Sequence, residues 1–111
     1  IPILVGGDTE VAIRRAARLA DGYFPGEGDA DRLAELIAAV RVACDNEDRD
    51  PDTVEINAMF GAHFKDPARG VEVMRELGVG RVMVPAFFFG GDGGLDRLRA
   101  FGETVVAPGT D

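Results

Sequence analysis

Ile1-Pro2-Ile3-Leu4-Val5-Gly6-Gly7-Asp8-Thr9 opens the chain as a short apolar run that breaks on two glycines and leads into a polar helix start. An apolar run ended by Gly-Gly and followed by Asp-Thr reads as a β-strand, a tight turn and a helix N-cap. Such a turn has two uses. It can be only a compact strand-to-helix connection, since glycine accepts backbone conformations closed to other residues. It can also seat an anion, because the first amides of a helix are unpaired and carry partial positive charge.

Outward from that turn the pattern recurs three more times. A helix capped by Asp8 or Thr9 is predicted to run to about Asp21, with Val11, Ala12, Ala16, Leu19 and Ala20 on its apolar side and Arg14, Arg15 and Arg18 on a solvated face. Tyr23-Phe24-Pro25 reads as a very short second strand, and Gly26-Glu27-Gly28 as a flexible rim. A helix from about Asp29 to Asn46 buries Leu33, Leu36, Ile37, Val40 and Cys44, which makes Cys44 a structural thiol. The polar run from Asn46 to Asp52 is a connector stopped by Pro51. Thr53 to Phe60 forms a third strand, followed by the lone histidine, His63, a rim residue or a catalytic candidate by its position. Asp66-Pro67 starts a helix that turns Val71, Met74 and Leu77 inward and closes at Gly78. A fourth strand lies within Val79 to Ala86. After Phe87-Phe88-Phe89-Gly90-Gly91-Asp92-Gly93-Gly94, a last helix from about Leu95 to Val106 turns Leu95, Leu98, Phe101 and Val105 inward.

Strands and helices in strict alternation, with strand starts roughly 20 to 35 residues apart, predict an α/β fold with a parallel sheet. Four units in 111 residues allow an independent four-unit sheet, and they match half of an eight-unit barrel, whose usual length is about 250 residues. In such sheets the loops after the strands form the functional face. That gathers Gly6-Gly7-Asp8-Thr9, Tyr23-Phe24-Pro25, Gly61 to His63 and the Phe87 to Gly94 loop on one side. Tyr23, Phe24, Phe60, Phe87, Phe88 and Phe89 then suit an apolar mouth for a flat ring or a hydrophobic substrate.

Composition narrows the function classes. The net charge of -8, from 20 acidic and 12 basic residues, opposes nucleic-acid and anionic-membrane binding. A single cysteine excludes an internal disulfide, fits a reducing cytoplasm and supplies no metal cluster. The start at Ile1, inside a strand and without an initiator methionine or a signal peptide, reads as a piece of a longer chain. No paired carboxylates or nucleophile with its base stand out, so no catalytic residue is assigned.

Ile1-Pro2-Ile3-Leu4-Val5-Gly6-Gly7, followed by Arg14-Arg15-Ala16-Ala17-Arg18-Leu19-Ala20-Asp21-Gly22-Tyr23-Phe24-Pro25, resembles the C-terminal half of the bacterial luciferase-like flavin or deazaflavin monooxygenase family. Arg49-Asp50-Pro51, Glu55-Ile56 and Leu77-Gly78-Val79 fit the same resemblance, which spans nearly the whole chain. Asp48 departs from it, standing where relatives often have glycine, in a connector. The resemblance implies that residues 1–111 are units five to eight of a TIM-type (β/α)8 barrel, with the cofactor ring across its C-terminal mouth. It places the cofactor phosphate against amides after the fifth strand, here Gly6 and Gly7. Asp8 and Thr9 begin the helix, Thr9 as a hydroxyl donor and Asp8 as a cap whose side chain points away.

The Asp-Gly-Tyr-Phe-Pro variant leans towards coenzyme F420, with FMN as the alternative cofactor. The implied function is hydride transfer between reduced deazaflavin and a small organic substrate, in a homo-oligomer when full length, with catalytic groups upstream of Ile1. Two other readings stay open: an FMN-dependent monooxygenase, and a non-catalytic half-barrel that pairs with itself or a partner. Gly90 to Gly94 is a competing phosphate seat, since many barrels bind phosphate after strands seven and eight.

Overall fold

Four short strands alternate with four helices: β1 (Leu4–Gly6), α1 (Glu10–Leu19), β2 (Gly22–Phe24), α2 (Ala30–Asn46), β3 (Glu55–Met59), α3 (Pro67–Leu77), β4 (Arg81–Met83) and α4 (Gly94–Phe101). This computed structural model describes residues 1–61 and 65–109, so His63 lies outside the described residues. The strands lie side by side in chain order and every neighbouring pair is parallel. This is the predicted α/β class, four βα units arranged as in part of a TIM barrel.

β1 starts three residues later than the apolar run suggests. The Asp21 carboxylate accepts a 2.7 Å hydrogen bond from the Ile3 N–H, and the Ile3 carbonyl accepts from the Asp21 and Gly22 amides. Ile3 is therefore held by the turn before β2, and the ladder begins only where Leu4 faces Gly22. Alternation then divides the sheet. Val5, Tyr23, Ile56, Ala58 and Val82 face the helices, where Ala16, Ala17, Leu36, Val40 and Cys44 close one core and Leu33, Phe60 and Met74 a second.

The other face is uncovered by helices and carries Leu4, Phe24, Met59 and Met83. A Cβ on Gly22 would stand 3.0 Å from the Glu55 carbonyl and 3.2 Å from the Asn57 amide and would force the Leu4 side chain to move. Glu55 and Arg81 pair at 3.4 Å beside these residues. Asn57 is fully buried; its Nδ2 donates to the Glu55 carbonyl at 3.2 Å, and its Oδ1 has no hydrogen-bond partner among the described residues.

α1 turns differently from its predicted face. Ala12, Ile13, Ala16, Ala17 and Ala20 are buried, while Val11 and Leu19 are exposed. Alanines allow the helix to lie close to the sheet and to α2, and that proximity outweighs the burial of two larger residues. Arg49 joins the far end of α1 to the connector. Its Nη1 donates to the Ala17 carbonyl at 3.1 Å and the Ala16 carbonyl at 3.4 Å, and its Nε donates to the Thr53 hydroxyl at 3.0 Å.

α2 and α3 match their sequence reading. Asp29 and Asp66 cap them, Pro67 takes the first position of α3, and Gly78 closes it with Val79 N–H donating to the Met74 carbonyl. The last helix departs from expectation twice. Regular α-helix ends at Phe101 and widens into a π-helical segment, Gly102–Val106, where the Thr104 hydroxyl donates back to the Ala100 carbonyl at 2.8 Å. Leu95 and Leu98, expected inside, are exposed. Phe101 packs instead, edge-on to Phe60 and Phe89 at centroid distances of 5.7 and 5.6 Å.

Candidate functional site

At the C-terminal edge of the sheet the Gly-Gly turn is held by two consecutive residues of β2. The Gly7 N–H donates to the Phe24 carbonyl at 3.3 Å, and the Tyr23 hydroxyl donates to the Gly7 carbonyl at 2.7 Å. Gly7 has φ +110°, a region that L side chains rarely adopt, and a Cβ there would stand 3.1 Å from that of Ala12. The Gly7 amide is thus engaged within the fold. The glycine's part is to make the turn rather than to offer its N–H.

Thr9, rather than Asp8, caps α1. Its backbone is extended at φ -84° and ψ 158°, and its Oγ1 accepts from the Ala12 N–H at 3.2 Å. The helix starts one residue too late for Asp8 to reach its first turn. The backbone amides of Asp8, Thr9, Glu10 and Val11 have no hydrogen-bond partner among the described residues. They form a short run of open donors where the helix dipole is positive. The Asp8 carboxylate lies 3.9 Å from the Arg32 guanidinium, which also pairs with Glu35 at 3.1 Å. Arg32 offsets the negative charge beside those amides. Nothing in the sequence pattern singled it out, because it comes from the next helix.

The predicted aromatic mouth separates into three groups. Tyr23 and Phe60 are core residues, and Phe89 packs on Phe101. Phe24 lies on the open face of the sheet by alternation, half-buried, while Phe87 is 76% exposed and stacks on Phe88 at 4.8 Å. Burial raises the Tyr23 phenol pKa, the nearby Asp8 charge raises it further, and Arg32 partly opposes them, so at neutral pH the hydroxyl is a donor.

The Gly26 to Gly28 rim is pinned. Glu27 Oε1 accepts from the Gly28 and Asp29 amides at 2.9 Å each, and the Glu27 carbonyl accepts from the Met59 N–H at 3.0 Å. The competing glycine loop is gathered around Arg97, which donates to the carbonyls of Phe88, Gly90 and Asp92 at 3.2, 2.6 and 3.0 Å. Ala86–Phe89 is a short 3-10 helix there, where the sequence reading has an open loop. The Arg97 cation there is occupied by backbone carbonyls, whereas the loop amides of Gly91, Asp92 and Gly93 have no hydrogen-bond partner among the described residues.

Cys44 is buried, and burial raises its pKa, as the structural assignment requires. Among the described residues no group of three or more His, Cys, Asp or Glu could hold a metal ion, and no helix is long and apolar enough to cross a membrane.

Comparison with known proteins bears on the same residues. The sequence profile of the luciferase-like monooxygenase family matches residues 1–85. Over 41 residues the chain is 61% identical to uncharacterized protein Rv0940c of Mycobacterium tuberculosis (strain ATCC 25618 / H37Rv), a match covering 37% of this chain and 14% of that protein. The same figures hold for uncharacterized protein Mb0965c of Mycobacterium bovis. Among solved structures the fold is similar to riboflavin lyase RcaE, crystallised with modified FMN and riboflavin, at 19% identity and a TM-score of 0.48, covering 67% of this chain and 17% of that one. The chain spans a small part of each of these proteins.

Proposed function

Because the chain belongs to the luciferase-like monooxygenase family, we propose that it is the C-terminal portion, units five to eight, of a (β/α)8 oxidoreductase that uses coenzyme F420. In this reading a hydride passes between reduced deazaflavin and a small organic substrate, in a cytoplasmic protein that is a homo-oligomer when full length. The observation that carries the reading is the turn Gly6-Gly7-Asp8-Thr9. Amides without a partner among the described residues follow a parallel strand there, at the edge where such sheets bind ligands.

The donor set fits a phosphate group. Helix-start amides supply oriented partial positive charge, Thr9 keeps a hydroxyl hydrogen while its oxygen caps α1, and Arg32 offsets the Asp8 carboxylate. Gly6 and Gly7 shape the turn, and Asp8 and Thr9 present donors. When bound, the deazaflavin supplies the hydride chemistry, and the protein supplies placement and electrostatics. Phe24 and the exposed Phe87 are the aromatic surfaces nearest to that role. The uncovered sheet face, with Leu4, Phe24, Met59 and Met83, supports the half-barrel assignment, because the interior of a closed barrel is packed with side chains.

The preference for F420 rests on the Asp21-Gly22-Tyr23-Phe24-Pro25 variant. Fluorescence titration of the full-length protein with F420 and with FMN tests it. Saturable binding of F420 with little affinity for FMN is the expected result. Recovery of bound FMN with no deazaflavin binding overturns the preference and leaves the monooxygenase reading. If residues 1–111 in isolation form a folded dimer with no affinity for either cofactor, the non-catalytic half-barrel is left.

A further inference from the structure

The Gly7 residue is fixed at both ends by β2, at its N–H by the backbone of Phe24 and at its carbonyl by the side chain of Tyr23. Tyr23 is wholly buried on the helix-facing side of the strand, so its hydroxyl reaches the turn from inside the core. The Gly7 carbonyl and the Asp8 N–H belong to one peptide unit. No peptide bond among the described residues is cis. In a planar trans unit the C=O and N–H point in opposite directions. A hydroxyl that draws the carbonyl inward therefore turns the Asp8 N–H outward, away from the core, where none of the described residues accepts from it.

We propose that Tyr23 is a positioning residue whose hydroxyl sets the Gly7–Asp8 peptide and so aims the Asp8 N–H at the phosphate of the cofactor. This inference rests on the seat assigned above and adds the residue that orients it. Tyr23 touches neither cofactor nor substrate. It acts through one peptide plane, and phenylalanine at this position would keep the ring in the core while releasing the carbonyl.

The test compares phosphate-bearing and phosphate-free cofactors on the full-length protein and its Tyr23→Phe variant. F420 is titrated beside the deazaflavin chromophore lacking the phosphate-bearing tail, and FMN beside riboflavin. Tyr23→Phe is expected to weaken the phosphate-bearing form roughly tenfold, the size of one hydrogen bond to a charged group, and to leave the phosphate-free form unchanged. In turnover, the cofactor KM rises while kcat is kept. Equal weakening of both forms, or of neither, overturns the positioning role. If the unaltered protein binds both forms equally, the phosphate seat itself falls and Tyr23 loses its role with it. A second measurement needs no variant. In amide NMR spectra of the unaltered protein, the Asp8 N–H signal should shift on adding F420 and much less on adding the tail-free chromophore; an unmoved Asp8 signal overturns the proposal.

Discussion

The Arg49 guanidinium donates to the Ala17 carbonyl across 3.1 Å, tying the last turn of α1 to the connector that leads into β3. The two partners are 32 positions apart in sequence, with β2 and α2 between them. The same group also holds the Ala16 carbonyl and the Thr53 hydroxyl. The Arg-Asp-Pro sequence thus has an architectural use. Asp50 caps the short Pro51–Thr53 turn, and Arg49 fastens that turn to the end of α1, where the Ala16 carbonyl also accepts from the Ala20 N–H.

Arg49→Lys should therefore lower stability by about 1–2 kcal/mol, because an ammonium cannot span the carbonyls of Ala16, Ala17 and Thr53 and the Thr53 hydroxyl in fixed planar geometry. Urea denaturation followed by far-UV circular dichroism measures the loss. An unchanged midpoint would show that the clamp is dispensable.

The pH dependence of stability follows from two buried acids. Burial raises the pKa of both the Cys44 thiol and the Tyr23 phenol. On raising the pH, the unfolded chain loses these protons before the folded one does. Stability is therefore intact below the ordinary thiol and phenol ranges and declines as pH climbs through and beyond them, from about 8.5 upward. Urea midpoints at pH 7 and pH 10 should differ in that direction. Cys44→Ala should reduce the difference; an equal difference in that variant would remove the thiol from the account.

Gly7→Val and Gly93→Val both place a side chain at positive φ, +110° and +73° respectively. Each should cost stability by about 1–3 kcal/mol. Gly7 stands at the turn proposed to seat the phosphate, and the loop at Gly93 is already gathered around Arg97, so in the full-length protein Gly7→Val should weaken F420 binding roughly tenfold more than Gly93→Val. Fluorescence titration at a temperature where both variants are folded makes the comparison. Equal affinities would move the seat away from β1.

Removing the Arg97 side chain takes away the donors that gather the carbonyls of Phe88, Gly90 and Asp92. Arg97→Ala should open the loop after β4 locally and raise its cleavage by chymotrypsin at Phe87 to Phe89 roughly fivefold. Peptide mapping of short digests gives the rate at each site. Cleavage that stays as slow as in the unaltered protein would show that the Arg97 donors are not what holds the loop.

Much of the fold is readable from local chemistry. Leu33, Leu36, Ile37, Val40 and Cys44 recur at helical spacing and are all buried, and Asp66-Pro67 begins a helix where capping rules place one. What escapes a local reading depends on neighbours distant in sequence. The face of α1 is chosen by how closely Ala16 and Ala17 approach the sheet, which the sizes of Val11 and Leu19 do not reveal. Leu95 and Leu98 have the right period for burial but lie on a side of α4 that this chain leaves exposed. Tyr23 and Arg32 escaped notice at the glycine turn for the same reason. Both arrive from the second βα unit, and their relation to Gly7 and Asp8 exists only after the first two strands pair.

Asn57 sets a chemical condition on recombination. Its Oδ1 sits on the floor of the uncovered sheet face with no donor among the described residues, beside the Glu55–Arg81 pair. A buried acceptor left in that state costs about 1–3 kcal/mol. Asn57 is already covered by its own neighbours, so a complementary half recovers that energy only where it displaces those side chains and brings an N–H or O–H to the Oδ1, which a wholly aliphatic one does not. Chimeras that join this segment to N-terminal halves of its relatives would therefore be sorted by a single polar atom as well as by the volume of the side chains filling the barrel.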